Sequence, residues 1–157
     1  MPATLYTIGY QQRSLEEYIA ILREAEIDVV IDVRDTAWSH KPGFSKSAFK
    51  RALAVAGIEY IHAKFAGNPK WLRSEAPRHH VCLEWYAWYV DEHIEIIETF
   101  DQLIADLIAA GKRTCITCFE RHAEDCHRSI LADRWRRRGR RRVAHLAIDG
   151  CERLISV

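Results

Sequence analysis

The chain of 157 residues is long enough for one domain with a buried core, whereas two halves of that length would each be marginally stable. Hydrophobic residues make up 48% of the sequence and charged residues 29%, which is typical of globular proteins and excludes a disordered or fibrous chain. The formal net charge of +1 argues against bulk attraction to nucleic acid or membrane surfaces. We therefore predict a single domain over residues 1–157.

The first two strands and the first helix follow from short local patterns. The β-prone run Thr4–Ile8, closed by Gly9, predicts a buried strand. Ser14 and Glu17 form a capping box, which predicts that a helix begins there. The apolar run Ile27–Val33, interrupted by two aspartates, predicts a strand that is covered on both faces of a parallel sheet.

The middle of the chain continues the alternation of strands and helices. Ser45 is a predicted N-cap for a helix that ends at Gly57, and Ile58–His62 is a predicted third strand. Ala63–Pro77 contains two prolines and a glycine, which predicts a long loop or lid. The pattern leaves the conformation of the whole segment 63–82 open.

The remaining elements are a long helical region with a break over Leu83–Ala110, a strand at Arg113–Thr117, a helix at Cys126–Arg138 and a fifth strand at Arg142–Ile148. Strands that alternate with helices require right-handed crossovers. We predict an α/β fold: one three-layer domain with a mostly parallel, five-stranded sheet and helices on both faces.

In such a sheet, ligands bind beyond the carboxyl ends of the strands. The predicted ligand-binding residues at this edge are Gly9, Tyr10, Asp32, Arg34, His62 and Arg128. A guanidinium group suits bidentate recognition of phosphate or carboxylate, so Arg34 and Arg128 would hold an anion. The alternative is that both arginines pair with Asp32 and Glu120 in a structural network, and the sequence favours neither interpretation.

The segment that follows the fourth strand carries most of the reactive side chains. Asp125 is a predicted N-cap, which would place the next three residues in the first turn of a helix, where free amides stabilise anions and thiolates. We predict that the catalytic residues are Cys118, Glu120, Cys126 and His127. Cys118 could act as a nucleophile or as half of a redox pair with Cys126, or it could be an inert buried thiol.

Two other kinds of cysteine site, a metal site and an anion-binding loop, fit the residues and their spacing less well. Cys115, Cys118, Cys126 and His127 are metal-ligand types, but Cys115 and Cys118 are three residues apart on a strand and point to opposite faces, so we predict no metal site. The spacing from Cys115 to Arg121 resembles the anion-binding loops of phosphatases and, less closely, of sulfurtransferases, although no glycine lies between them. Sulfur or phosphoryl transfer is therefore an alternative function.

Seven arginines lie between Arg134 and Arg142, and this cluster suggests nucleic-acid binding as another alternative. Its candidate phosphate contacts are Arg136, Arg137, Arg138, Arg140 and Arg141. Charged helix ends are commonly just solvated, and arginines near a helix C-terminus also complement the helix dipole. The aromatic stretch Trp85–Tyr89 would stack on bases in that case, but aromatics at helical spacing more often lie in a core or a dimer contact.

Several segments together resemble the domain of unknown function 488 (DUF488) family of small α/β proteins. They are Thr7–Tyr10 with Ser14–Glu17, Ile31–Arg34, Pro42 with Phe44, Gly57–Tyr60, Cys118–Glu120 and Cys126–Arg128. The Cys-x-Glu and Cys-His-Arg elements are the most specific. The chain has Phe65-Ala66-Gly67 where the family more often has Leu-Gly-Gly. The resemblance implies the fold and a pocket, but no particular reaction.

The function that the sequence favours is an enzyme-like domain that binds a small anionic or nucleotide-like ligand at the carboxyl ends of the strands. The lack of an apolar run of ~20 residues and of a basic, then apolar, leader predicts a cytoplasmic protein without a membrane partner. Five cysteines, an odd number at irregular spacing, do not suggest a disulfide framework. The cofactor, the substrate and the oligomeric state are left open.

Overall fold

The computed structural model describes residues 2–146 and 153–156. The strands are β1 (Ala3–Gly9), β2 (Val29–Asp32), β3 (Glu59–His62), β4 (Thr114–Cys118), β5 (Arg141–His145) and β6 (Arg153–Ser156). The helices are α1 (Leu15–Glu24), α2 (Lys46–Val55), α3 (Lys70–Glu75), α4 (His79–Glu92), α5 (Ile94–Ala109) and α6 (His127–Arg136), with 3₁₀ turns at Lys64–Ala66 and Ala123–Asp125. Within these residues, no helix is both long and apolar enough to cross a bilayer.

The strands form one sheet in the order β3-β2-β4-β1-β5-β6. β1 to β5 are all parallel, and β6 runs antiparallel to β5. The predicted α/β class, with a mostly parallel sheet, is therefore confirmed. The additional strand β6 was not predicted, because its four residues carry little local signal and become a strand through their pairing with β5. The fifth strand begins one residue earlier than predicted, and positions 147 and 148 of the prediction lie outside the described residues.

Helices cover both faces of the sheet, as predicted. On one face, Tyr18 and Leu22 of α1 pack with Phe49 and Leu53 of α2. On the other face, the core contains buried side chains of α4, α5 and α6, among them Tyr86, Phe100 and Trp135. Side chains of a central strand alternate between these cores, so each core receives half of every strand.

The predicted loop over Ala63–Pro77 and the residues up to position 82, whose conformation was left open, are largely helical. This segment contains the 3₁₀ turn, all of α3 and the first turn of α4. Leu72 anchors α3 in the interior, and Cys82 lies in the same buried row as Tyr86 and Val90, four residues apart along α4. The prolines lie at helix boundaries, where they are tolerated. The predicted break in the long helical region falls at His93, between α4 and α5.

The helix caps are partly as predicted. The Ser14 hydroxyl accepts from the Glu17 amide at 3.1 Å and the Glu17 carboxylate accepts in return, which completes the capping box. Ser45 is an N-cap, but its hydroxyl donates to the Ser39 carbonyl rather than capping α2. Asp125 is not an N-cap: it ends the 3₁₀ turn, and the extended Cys126 (φ −130°) caps α6, which ends at Arg136, two residues before the prediction.

Gly9 lies where the chain leaving β1 crosses the chain leaving β4. A Cβ atom at this position would lie 1.8 Å from the carbonyl oxygen of Glu120. Because that oxygen belongs to backbone that is held by other hydrogen bonds, no flexible side chain can move to make space. The absence of a side chain at Gly9 therefore lets the two loops approach each other.

We expect Gly9→Ala to destabilise the protein by more than about 3 kcal/mol, because the clash is with backbone. Gly139→Ala is the matched control, since its nearest contacts belong to the flexible side chain of Arg141, and it should change stability by less than about 0.5 kcal/mol. Urea denaturation followed by circular dichroism measures both. Equal midpoints for the two variants would contradict the steric role of Gly9.

Candidate functional site

The strand order places a crevice at the centre of the sheet. β1 and β4 are neighbours, but the chain leaves β1 into α1 on one face and leaves β4 into α6 on the other. Ligands bind at such switch points in open parallel sheets. The two departing loops first run side by side, with the Tyr10 amide donating to the Cys118 carbonyl and the Gln11 amide to the Phe119 carbonyl at 2.8 Å.

A cavity of about 1020 Å³ opens above this point, which is at the upper end for small-molecule sites. Five predicted site residues line it: Tyr10, Arg34, Cys118, Glu120 and His127. The other predicted site residues, which are not part of its lining, are Gly9, Asp32, His62, Cys126 and Arg128. The carboxyl ends of the strands thus supply a real cavity, but only half of the predicted set reaches its wall.

Cys118, Cys126 and His127 form a buried cluster at the cavity wall, and Cys118 and His127 are part of the lining. The Nδ1 atom of His127 lies 3.7 Å from the sulfur of Cys118 and 4.0 Å from that of Cys126. The other ring nitrogen, Nε2, lies 2.9 Å from the Val33 carbonyl, which can only accept, so Nε2 carries a proton and donates it. We define these three residues as the Cys-His cluster.

The two sulfurs of the cluster have opposite acidities. Burial opposes ionisation of Cys126, but hydrogen bonds from Cys118 and His127 and the nearby charge of Arg128 hold its pKa well below the usual value. The hydrogen bond that Cys118 gives to Cys126, followed by burial, raises the pKa of Cys118. Burial opposes protonation of His127, but the hydrogen bond and the charge interaction with Cys126 stabilise the protonated ring and raise its pKa. The three side chains therefore alter one another's acidity.

Glu120 lies two residues after Cys118, on the cavity wall. Burial and the adjacent Cys126 raise the pKa of its carboxyl group to about 7. A carboxyl group with such a pKa is divided between its two protonation states near neutral pH, which suits proton transfer. The predicted ion pair between Glu120 and Arg128 is not formed by the carboxylate, since Arg128 donates to the Glu120 backbone carbonyl instead.

Asp32 and Arg34 form a fully buried ion pair. The guanidinium group donates to both carboxylate oxygens, the shortest contact being 2.7 Å, and also to the Phe44 carbonyl and the Tyr10 hydroxyl. Tyr60 donates a further hydrogen bond to Asp32 at 2.6 Å. All three guanidinium nitrogens of Arg34 therefore have partners within the protein. This geometry corresponds to the structural network that the sequence left as an alternative.

The side chains of the remaining predicted ligand-binding residues form hydrogen bonds with backbone carbonyl groups of the protein. Arg128 is buried and donates to the Glu120 and Arg121 carbonyls and to Thr7. His62 lies on the outer strand β3, where its Nε2 is 2.8 Å from the Arg34 carbonyl. Their predicted role in ligand binding stays a prediction, but the structure gives these side chains other partners.

Several residues of the cavity lining were missed from the sequence, among them one exposed aromatic residue and two cations. Trp38 is 58% exposed on the wall, and Lys41 and Arg78 also line the cavity without forming an ion pair among the described residues. Trp38 and Lys41 lie between β2 and α2, and Arg78 is the N-cap of α4. The nearest sequence signal was their position: Trp38 and Lys41 lie in the loop after a predicted strand, and Arg78 directly follows the segment that was predicted to form a loop or lid.

Comparison with known proteins adds a family to this geometry. The model of the family described as domain of unknown function DUF488 matches residues 14–135. The chain belongs to the DUF488 family. No curated protein matches it. Among solved structures, the chain is similar to the crystal structure of an unconfirmed phosphatase (DUF442) from Shewanella putrefaciens CN-32, with 16% identity and a TM-score of 0.44, over 80% of this chain and 61% of that one.

In this DUF488 protein, acidic residues accompany most of the arginine cluster. Asp91 and Asp133 bind Arg134, Asp133 also contacts Arg136 and Arg137, and Asp101 contacts Arg138 and Arg141. These pairs reduce the positive potential that a phosphate backbone would meet. Nucleic-acid binding by this cluster stays a prediction and gains no support from its surroundings.

The aromatic stretch of α4 is divided between core and surface. Tyr86 is buried and donates to the Ala66 carbonyl at 2.8 Å, whereas Trp85 and Trp88 are exposed. Tyr89 makes an edge contact with exposed Trp71 of α3 at 6.0 Å. Tyr86 therefore has the structural role that helical spacing suggests.

We expect Asp32→Asn to destabilise the protein by about 3–5 kcal/mol, because it leaves the Arg34 charge buried without its partner. Asp91→Asn is the matched control: it breaks a pair with Arg134 at the surface, where such pairs contribute about 0–1 kcal/mol. Thermal and urea unfolding measure the difference. A small effect of Asp32→Asn would contradict the assignment of this pair as a structural support of the site.

Proposed function

We propose that this protein is an enzyme that binds a small anionic, nucleotide-like substrate in the cavity and acts on it with the groups at its base. The observation that carries the proposal is the meeting of Cys118, Glu120 and His127 on one cavity wall at the switch point of the sheet. Packing of the core does not need a thiol, a carboxyl group and an imidazole from two different elements to lie together.

The cations of the cavity lining support the anionic character of the substrate. Lys41 and Arg78 carry positive charge on the cavity lining and form no ion pair among the described residues. Arg34 and Arg73 also line the cavity, but carboxylates of the protein already pair with them. Lys41 and Arg78 are therefore the cations that we assign to binding of a phosphate or carboxylate group.

The aromatic residues of the lining support a planar part in the substrate. Trp38 and Phe119 are large apolar side chains that stay 58% and 43% exposed. Both line the cavity, and Phe119 makes an edge contact with buried Tyr10. A nucleobase that stacks on one of these rings would cover this exposed apolar surface.

The alternative of sulfur or phosphoryl transfer by Cys115 has less support. Cys115 lies in mid-strand, opposite Tyr6 of β1, and is fully buried among the side chains of the α1–α2 face. Burial raises its pKa, and it is not part of the cavity lining. The spacing from Cys115 to Arg121 therefore lacks the exposed thiolate that such a reaction needs.

Native mass spectrometry of the full chain with a mixed nucleotide pool tests binding. We expect one nucleotide per chain, with Lys41→Ala/Arg78→Ala weakening binding at least tenfold, because each charged contact contributes about 1.5–3 kcal/mol. Lys50→Ala/Arg51→Ala removes the same charge from exposed positions outside the cavity lining and should bind as the parent does.

Two results of the binding experiment would contradict the proposal. An equal loss in the control variant would mean non-specific attraction. Retention of a short single-stranded oligonucleotide alone, lost in Arg137→Ala/Arg138→Ala, would instead favour the arginine cluster as a nucleic-acid site.

Turnover of the nucleotide identified in this way tests the enzymatic part. Glu120→Gln keeps the size of the side chain but removes its ability to give up or take up a proton near neutral pH. We therefore expect turnover to fall by about 100-fold or more, as for general acid–base groups, while binding is retained. Product formation is followed by mass spectrometry. Unchanged turnover in both Glu120→Gln and Cys118→Ala would show that the reactive groups are assigned wrongly.

A further inference from the structure

The Cys-His cluster has features that a nucleophilic cysteine does not need. Cys126 has no exposed surface and lies outside the cavity lining. Cys118 does line the cavity, but only 6% of its surface is exposed. A nucleophile must reach its substrate, and the complete burial of Cys126 does not allow this. Three ligand atoms gathered around one point suggest another role.

We propose that Cys118, Cys126 and His127 bind a divalent transition-metal ion, Zn²⁺ in the first instance, through their two sulfurs and the Nδ1 atom of the imidazole. The three ligand atoms all lie within 4.8 Å of one another. A tetrahedral ion with bonds of about 2.3 Å to sulfur and about 2.0 Å to nitrogen separates a sulfur from a nitrogen ligand by about 3.5 Å and two sulfur ligands by about 3.8 Å. The distances of 3.7 and 4.0 Å from Nδ1 to the sulfurs are close to this requirement.

The histidine is oriented as a metal ligand is. A metal-ligating imidazole usually donates its second ring nitrogen to a carboxylate or a backbone carbonyl, which fixes the tautomer and the ring plane. His127 donates from Nε2 to the Val33 carbonyl at the end of β2, and its ring packs on the edge of buried Tyr86 at 5.0 Å. In the neutral ring, the lone pair of Nδ1 therefore points toward the two sulfurs.

The ligands are carried by rigid elements, which favours a preformed site. Cys118 is the last residue of β4, and Cys126 and His127 are the N-cap and first residue of α6. Two thiolates neutralise the charge of a divalent ion, so the occupied site would place no net charge in the core, where an unpaired charge is costly.

The set leaves one coordination position for the cavity. Glu120 does not belong to the group of mutually close ligand atoms among the described residues, although its carboxyl group interacts with Cys126. Three protein ligands with a fourth position open to water or substrate are typical of catalytic zinc sites, whereas structural sites are closed by four. Because Cys118 and His127 line the cavity, the open position would face it.

This site differs from the ligand set that the sequence analysis rejected. That set relied on Cys115 and Cys118, which do face opposite cores in the structure. The proposed site instead joins Cys118 to Cys126 and His127, eight and nine positions later in the sequence, because the chain folds back onto the end of β4. The inference does not depend on the nature of the substrate, since metal binding is measured without one.

Addition of Co²⁺ to the reduced, metal-free full chain tests the proposal. We expect one Co²⁺ per chain, with thiolate-to-metal charge-transfer absorption and the strong visible bands of tetrahedral Co²⁺, both removed by one equivalent of Zn²⁺. Cys118→Ser, Cys126→Ser and His127→Ala should each weaken Zn²⁺ binding by more than about 100-fold, the upper range for loss of an outer-shell partner. Cys82→Ser is the control, since Cys82 is a free thiol on the same cavity outside the cluster, and it should keep the spectrum.

A second measurement uses only the parent protein, in case the variants do not fold. Bound Zn²⁺ should raise the melting temperature and should protect Cys118 and Cys126, but not Cys82, from alkylation mapped by mass spectrometry. Absence of thiolate charge-transfer absorption in the reduced protein would overturn the proposal, as would spectra that persist in both cysteine variants. A Cys118–Cys126 disulfide with no metal uptake after reduction would also overturn it and would favour a redox pair. Nucleotide binding that survives removal of the metal would leave the proposed function standing.

Discussion

The close contact between the ends of β1 and β4 is the constraint on which the rest of the site depends. Gly9 allows the Glu120 carbonyl to lie where a Cβ atom would otherwise be, and Arg128 donates to that same carbonyl from the start of α6. The loop after β4 is thus held between the backbone of Gly9 on one side and the buried guanidinium group of Arg128 on the other. Without this contact, Glu120 and the Cys-His cluster would have no defined position relative to the cavity.

Buried arginines act in this protein mainly as internal supports. Arg34 ties Asp32 to the Phe44 carbonyl and to Tyr10, and so links the ends of β1 and β2 to the loop before α2. Arg13, which the sequence analysis did not consider, donates to the Gly9 carbonyl. Five donors in a fixed fork let one arginine join several loops, and desolvation makes the loss of any partner costly. The cations left for a ligand are Lys41 and Arg78 on the cavity lining.

The proposed metal site and the proposed substrate site meet at Cys118 and His127. An ion held there would stand behind the cavity wall, with its open coordination position directed at a bound substrate, and Glu120 would lie beside it. A metal at this position supplies a Lewis acid or an activated water molecule, while the lining supplies charge and an aromatic surface. Cys118, Cys126 and His127, which were predicted to be catalytic, would then act as metal ligands. Their place in the site stays as predicted, but their chemical role changes.

Local patterns in the sequence determined the α/β class, the capping box of α1, the concentration of polar residues at the carboxyl ends of the strands and the opposite directions of Cys115 and Cys118. These features depend on the two-residue period of strands, the turn period of helices and neighbouring residues, all of which can be read from one segment at a time. Tertiary structure alone decided that β6 pairs with β5, that segment 63–82 becomes helical on the buried Leu72 and Cys82, and that Cys126 and His127 return to Cys118. It also assigned Arg34 and Arg128 to internal partners and left Lys41 and Arg78 on the cavity wall. Those outcomes depend on contacts between distant segments and on desolvation of charged groups, and neither is encoded in the spacing of residues along one segment.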